Sequence, residues 1–136
     1  MRDLKNNIGV VQSLAPAARD ADANGTGVDL QGFESATIVI DMGAEGITLS
    51  STNKIEIELE HSDDNSTFTD VTSSADVIGA TPDSNGVIAT FDDPAEAPAI
   101  ASVGYIGGKR YIRAVANFSG THGTATPMAV SVIKGH

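Results

Sequence analysis

The residues from Lys54 to Glu60 alternate between apolar and charged side chains without a break. The apolar positions are Ile55, Ile57 and Leu59, and the charged positions are Lys54, Glu56, Glu58 and Glu60. A period of two places these two sets on opposite faces of a β-strand. A strand with one buried face and one wet face is typical of an antiparallel sheet. The segment therefore predicts an all-β, antiparallel fold.

Seven further segments are rich in β-branched and aromatic residues and are separated by turn signals such as Asn24-Gly25 and Asn85-Gly86. They are Val10–Leu14, Ala36–Ile40, Phe68–Val71, Val87–Phe91, Val103–Ile106, Tyr111–Phe118 and Ala129–Ile133. The regions 15–23 and 93–101 contain prolines and are interpreted as loops or single turns. We expect a single antiparallel β-sandwich of about eight strands over residues 1–136, similar to a jelly roll, with the strand order left open.

Charge is distributed unevenly along the chain. Residues 1–19 carry a net charge of +2, residues 20–96 carry −16 and residues 97–136 carry +4, which together give −10. The acidic total argues against general nucleic-acid binding, because phosphate contacts need clustered Lys and Arg. Such segregation predicts that different parts of the surface meet different neighbours. This is expected of a protein docked on a larger assembly rather than of a free-standing catalyst.

The start of the chain is polar and carries no apolar run. We therefore expect no secretory signal, and no stretch approaches the roughly 18 apolar residues that a membrane span needs. Residues 1–12 are predicted to form an extended N-terminal arm that orders against a partner. The chain has no cysteine, which excludes disulfides and thiolate metal sites.

The segment 63–70 is rich in the oxygen ligands that calcium prefers. It lacks the glycine and the final glutamate of a calcium loop, so a solvated hairpin capped by Asx side chains is the favoured interpretation. The other carboxylate groups, Asp20 with Asp22 and Asp92-Asp93 with Glu96, are interpreted as loop acids. A glycosidase would also need aromatic subsites, and the chain has no Trp.

The three histidines, His61, His122 and His136, show no spacing typical of a metal pair. The chain also contains no Gly-x-Ser-x-Gly elbow for a nucleophile. We therefore expect no catalytic residues, no metal site and no cofactor, and we expect that the protein is not an enzyme.

A basic cluster lies near the end of the chain, in an otherwise acidic protein. It consists of Lys109, Arg110 and Arg113, which follow Gly107-Gly108, interpreted as the turn of a hairpin. Two interpretations of this basic cluster remain open. Its side chains form internal salt bridges to the acidic strand 56–60, or they dock on an acidic neighbouring surface.

Several segments resemble small virion proteins of tailed bacteriophages and prophages, in the same order along nearly the whole chain. They are Asn7–Val11, Leu14–Ala17, Asn24–Ala36, Glu60–Val71, Gly104-Tyr105 with Lys109–Arg113, and Val132–His136. The resemblance implies a structural role on a phage head. Proteins of this kind decorate or cement the capsid, or form the base of head spikes, and they bring no catalytic residues with them.

The resemblance implies a decoration (cement) protein that binds the outside of the capsid and stabilises it. The expected partners are the major capsid protein and neighbouring copies of the chain, without nucleic acid or membrane. The expected location is the exterior of the virion, after synthesis in the bacterial cytoplasm. The predicted contact residues are Arg2, Lys5, Ile8, Val10, Lys109, Arg110 and Arg113. The alternatives are a head-spike base or tail component, or a carbohydrate-binding adhesion module, for which aromatic residues are scarce.

Overall fold

The computed structural model describes residues 2–136, most of which lie in antiparallel strands or the turns between them. The eleven strands are β1 (Ile8–Arg19), β2 (Ala23–Asn24), β3 (Val28–Asp29), β4 (Ser35–Met42), β5 (Lys54–Ser62), β6 (Thr69–Asp70), β7 (Val77–Ile78), β8 (Val87–Phe91), β9 (Ala99–Tyr105), β10 (Tyr111–Ser119) and β11 (Thr126–Gly135). Within the described chain the helical segments are two short 3-10 turns, Ser74–Asp76 and Pro94–Glu96. No helix of this part is long and apolar enough to span a bilayer.

The strands form two sheets that pack face to face. Sheet I has the order β1–β11–β4–β9–β7. Sheet II has the order β2–β10–β5–β6, and β3 and β8 also pair with β10 and β5. Every pairing is antiparallel. The predicted antiparallel β-sandwich is confirmed, and four of the eleven strands contain only two residues each.

The hydrophobic core lies between the inner faces of the two sheets. In β5, the side chains of Ile55, Ile57 and Leu59 are fully buried, as the alternation predicts. They face a buried row from β4 that includes Ile38 and Ile40. Burial of each such side chain contributes about 1.5–3 kcal/mol. The residues between the buried ones point away from the core, and they define an outer face for each sheet.

The prediction of a loop over residues 15–23 is wrong for residues 15–19, which continue β1. The partner strand β11 extends far enough to pair with Arg19. Pro16 falls in an irregular stretch of the ladder between Leu14 and Ala17, where it does not interrupt regular pairing. In the same way, residues 99–101 belong to β9 because β4 supplies partners for them. Pairing with a neighbouring strand therefore determines the conformation of both segments.

The predicted arm is shorter than expected. Residues 8–12 are the first part of β1 and pair with residues 131–135 of the same chain. Only residues 2–7 lie outside a strand, and their side chains are mostly exposed. One side of the backbone of residues 8–12 is therefore already paired within the chain's own sheet.

The predicted hairpin at Gly107-Gly108 is wrong. β9 belongs to sheet I and β10 belongs to sheet II, so the segment between them crosses from one sheet to the other. Gly107 packs directly on the ring of Tyr105, where an added Cβ would lie 2.6 Å from the ring carbon Cζ. The glycine therefore permits a tight crossover rather than a hairpin turn.

Ser13 joins the two sheets at the edge of the sandwich. Its side chain is buried, donates a hydrogen bond to the carbonyl of Thr26 (3.1 Å) and accepts one from the N–H of Ala114 (2.9 Å). The backbone of Gly25 donates to the carbonyl of Ala114 at 2.7 Å. We call this set the Ser13 clamp. It ties β1 of sheet I to β10 of sheet II.

Candidate interaction surfaces

The outer face of sheet I is almost free of charge. Alternation and register place the following side chains on it: Ile8, Val10 and Gln12 of β1; Ala129, Ser131 and Ile133 of β11; Thr37, Val39 and Asp41 of β4; Ile100, Ser102 and Gly104 of β9; and Ile78 of β7. We call this set the sheet I face. Asp41 is its one charged member. A partner could therefore cover it without desolvating many charges.

Large apolar side chains are exposed on the sheet I face. Ile100 is 73% exposed, Val10 is 64% exposed and Ile78 is 58% exposed. A cleft of about 250 Å³ opens beside Pro16, Pro127 and other residues of the same region. Exposed apolar side chains that share one face are typical of interaction surfaces, whereas scattered ones are ordinary.

The outer face of sheet II is charged. It carries the carboxylates of Glu56, Glu58, Glu60 and Asp70 and the cations Lys54 and Arg113. Burial, together with neighbouring carboxylates, raises the pKa of both Glu58 and Asp70. The crowding of like charges is therefore already unfavourable on this face. A neighbour that covered it would have to remove water from several carboxylates at once.

Arg113 of the predicted contact set lies on the sheet II face and is held within the chain. Its Nε is 2.5 Å from a carboxylate oxygen of Glu60, directly across the strand pair β10–β5. The guanidinium also lies over the ring of Phe68, 4.2 Å from its centroid. This pair confirms the internal-bridge interpretation for Arg113.

Lys109 and Arg110 also have carboxylate partners, although not on the strand that the sequence suggested. Lys109 Nζ is 2.6 Å from Asp63, and Arg110 makes two hydrogen bonds of 2.9 Å to Asp29. The Arg110 guanidinium lowers the pKa of Asp29 to about 2. The acidic and basic blocks of the sequence therefore interleave in space. Each cation of the basic cluster already has a carboxylate partner within the chain. Docking through this cluster stays a prediction.

The predicted contact residues of the arm fall in two places. Arg2 and Lys5 are exposed in the segment before β1, where Asp3 accepts hydrogen bonds from Asn6. Ile8 and Val10 belong to the sheet I face. The predicted contact residues therefore do not share one surface, because Ile8 and Val10 lie on the outer face of sheet I and Arg113 lies on the outer face of sheet II.

The hairpin interpretation of residues 60–71 is confirmed by the pairing of β5 with β6. Asp64 Oδ1 accepts hydrogen bonds from Ser62 Oγ and from the N–H groups of Ser66 and Thr67, each at 2.9 Å. These bonds lower the pKa of Asp64. Across residues 2–136, no three His, Asp or Glu side chains come close enough together to hold a metal ion.

His61 connects the two sheets through Tyr105. The hydroxyl of Tyr105 accepts a hydrogen bond from the N–H of Lys109 (3.2 Å) and lies 2.9 Å from His61 Nδ1. The 2.9 Å contact joins a side chain of sheet II to one of sheet I. Burial lowers the pKa of His61, and Lys109 adds to this while Asp76 and Asp63 oppose it.

Stability is expected to fall when the pH drops from 7.5 to 5.5. The unfolded chain binds a proton at His61 near pH 6.5, whereas the folded chain resists protonation until a lower pH. The stabilisation is complete above about pH 6.5 and is lost as the pH falls towards the folded pKa. Melting temperatures at the two pH values check this. His61→Gln should show a smaller difference, and an equal difference would contradict the assignment.

Most of the sheet I face was missed by the sequence reasoning. Thr37, Val39, Ser131 and Ile133 lie within segments that were identified only as strands. A signal was present, because β4 and β11 carry apolar side chains at both alternating positions, unlike β5. Apolar side chains on both faces of a strand indicate that both faces can be covered. In a two-layer sandwich, one of those faces has no covering layer of its own.

No protein-family model matches the chain, and no curated protein matches it. The fold and the two contrasting faces are therefore the features on which a functional assignment rests.

Proposed function

We propose that this protein is a structural virion protein that binds the outside of a tailed-phage capsid and stabilises it. The carrying observation is the contrast between the two outer faces of the sandwich. The sheet I face has one charge and exposes Val10, Ile78 and Ile100. The sheet II face carries four carboxylates. A protein that sits on a shell needs one face that can be desolvated and one that remains in water.

The resemblance to small phage virion proteins supports the same assignment, because it covers nearly the whole chain in order. A cement protein works by bridging neighbouring shell subunits, so that they cannot separate without breaking the bridge. Each contact can be modest, about 800 Å² per partner, because many copies act together. The sheet I face supplies the apolar surface for such a contact.

Particles that lack this chain, incubated with the purified protein, test the proposal. We expect hundreds of bound copies per particle by mass spectrometry against the major shell protein, and a higher temperature of head disruption. Ser102→Glu places a charge on the sheet I face at an exposed position. Because a buried, unpaired carboxylate is costly, occupancy of this variant should fall by about tenfold or more at limiting concentration.

The matched control is Thr90→Glu, which makes a comparable change at an exposed position opposite Glu56 on the sheet II face. Its occupancy should remain within about twofold of the unchanged protein. Equal loss with both variants would contradict docking through the sheet I face. Absence of binding by the unchanged protein would overturn the virion assignment itself, and a glycan-binding screen would then follow.

A further inference from the structure

β1 is the longer of the two end strands of sheet I, and one of its edges has no partner strand in the described part of the chain. It is the end strand of sheet I and pairs with β11 on its other side. The opposite end strand, β7, has two residues, and the edge strands of sheet II have two to five. Natural sheets protect their edges with short strands, charges or bulges. Residues 8–12 of β1 have none of these protections, because they are uncharged and regularly paired.

The second half of this edge is irregular and partly occupied. The carbonyl of Ser13 accepts a hydrogen bond from the N–H of Thr26 at 2.7 Å, within the Ser13 clamp. The ladder is irregular beyond Gln12, and Pro16 has no N–H to offer. The edge available to a partner is therefore residues 8–12, which we call the open segment.

The hydrogen bonds of β11 show which of its residues face β4. The N–H of Glu34 donates to the carbonyl of Gly135, and the N–H of Gly43 donates to the carbonyl of Pro127. Both donors flank β4, on the far side of β11 from β1. Because peptide groups alternate in direction along a strand, odd-numbered residues of β11 bond towards β4 and even-numbered residues bond towards β1.

This alternation fixes the direction of the peptide groups in the open segment. Gly9 and Val11 oppose the even-numbered residues Lys134 and Val132, so they bond inward to β11. Ile8, Val10 and Gln12 therefore direct their N–H and C=O groups to the open edge. After Gln12 the register shifts by one residue, and the carbonyl of Ser13 then also points to the outer side of β1.

We propose that a second copy of this chain pairs with the open segment, antiparallel, about a two-fold axis at Val10. In this arrangement Val10 meets Val10 of the second copy, and Ile8 meets Gln12 of the second copy. All of these residues direct their peptide groups outward. Three reciprocal pairs supply about six backbone hydrogen bonds. The edge is complementary to itself, as an isologous dimer requires.

Charge repulsion between two copies of the chain is smallest at this edge. Two chains of net charge −10 repel each other over most of their surfaces. No acidic residue lies between Asp3 and Asp20, so pairing here brings no carboxylates of β1 together. Val10 is 64% exposed and gains a cross-strand apolar contact with its own copy. The two sheet I faces then lie on the same side of one continuous sheet. None of these arguments depends on capsid binding.

The dimer should be weak. Five residues on each side cover less than the roughly 800 Å² per partner of a standard interface. We therefore expect dissociation constants in the micromolar range or above. Sedimentation between about 10 µM and about 1 mM should show a rising dimer fraction. A monomer throughout this range would overturn the proposal.

Charge exchange at Val10 tests the position of the two-fold axis. Val10→Lys and Val10→Glu each place like charges directly opposite one another, so each variant alone should dimerise at least about tenfold more weakly. An equimolar mixture of the two should recover the dimer, because Lys then meets Glu. Undiminished dimerisation of either variant, or a mixture without recovery, contradicts pairing at Val10. Thermal melting of each variant identifies any loss of folding.

Disulfide trapping supplies an independent readout in this cysteine-free chain. Opposite Cα atoms in a hydrogen-bonded antiparallel pair are about 5.5 Å apart, which suits a disulfide. Val10→Cys should therefore form a covalent dimer under mild oxidation. The matched control is Ile100→Cys, which is 73% exposed on the same face but lies three strands away from β1. Equal rates for the two variants would contradict the proposal.

Discussion

Gly25→Ala is expected to destabilise the protein by about 3 kcal/mol and to lower its melting temperature by roughly 10 °C. A Cβ at this position would lie 2.5 Å from the carbonyl oxygen of Ala114 and 2.9 Å from that of Ser13. It would also collide with the Ser13 hydroxyl. Both carbonyls already accept hydrogen bonds within the Ser13 clamp, so they cannot move away without breaking it.

The matched control is Gly108→Ala. No atom outside its immediate neighbours lies within 4 Å of an added Cβ there, and neither glycine has a positive φ. The two substitutions therefore make the same chemical change and differ in the space around the new methyl group. Urea denaturation should show a lower midpoint for Gly25→Ala and little change for Gly108→Ala. Equal midpoints would mean that the clamp can open at little cost.

Arg113→Met is expected to cost about 2 kcal/mol of folding stability. The substitution keeps an apolar side chain against Phe68 and removes the charge that faces Glu60. The side chains of Arg113 and Glu60 are only 22% and 16% exposed, so water replaces the lost partner poorly. Glu60 is then left opposite Asp70 on the strand pair β5–β6. Chemical denaturation of the single variants and of the double variant with Glu60→Gln measures the coupling, which should be about 1 kcal/mol or more.

Lys109→Met provides the comparison within the same basic cluster. Its partner Asp63 is 71% exposed and Lys109 is 40% exposed, so removal of this pair should cost at most about 0.5–1 kcal/mol. If Arg113→Met costs no more than Lys109→Met, the partly buried bridge has no special role in stability. The comparison also separates stability from docking, because substitution of a residue that only docks would weaken binding and leave the free energy of unfolding unchanged.

Most of the longer strands could be predicted from local pattern. The alternation in β5 and the β-branched run in β4 are each sufficient to identify a strand, and β8 has the bounds that the sequence indicates. Residues 15–19 and 99–101 could not be predicted in this way. Both segments are rich in alanine and lie at or next to a proline, Pro16 or Pro98, and their strand conformation depends on partners in β11 and β4.

The local sequence pattern also could not predict which strands belong to the same sheet. Gly107-Gly108 between two strands is compatible with a hairpin and with a crossover, and the packing of Tyr105 selects the crossover. The partners of the basic cluster are equally non-local: Arg110 pairs with Asp29, which precedes it by 81 residues. The contrast between the two outer faces depends on which strands share a sheet. A linear charge profile does not contain that information.

The position of the Ser13 clamp along β1 has a mechanical consequence. Ile8 lies opposite Gly135, so a force that lifts the segment before Ile8 away from the sheet separates β1 from β11 one residue pair at a time, as in the opening of a zipper. This peeling meets little resistance through residues 8–12. It stops at Ser13, where the strand is fastened to β10 of the opposite sheet. Strain applied at that end is therefore confined to the five residue pairs that precede the clamp.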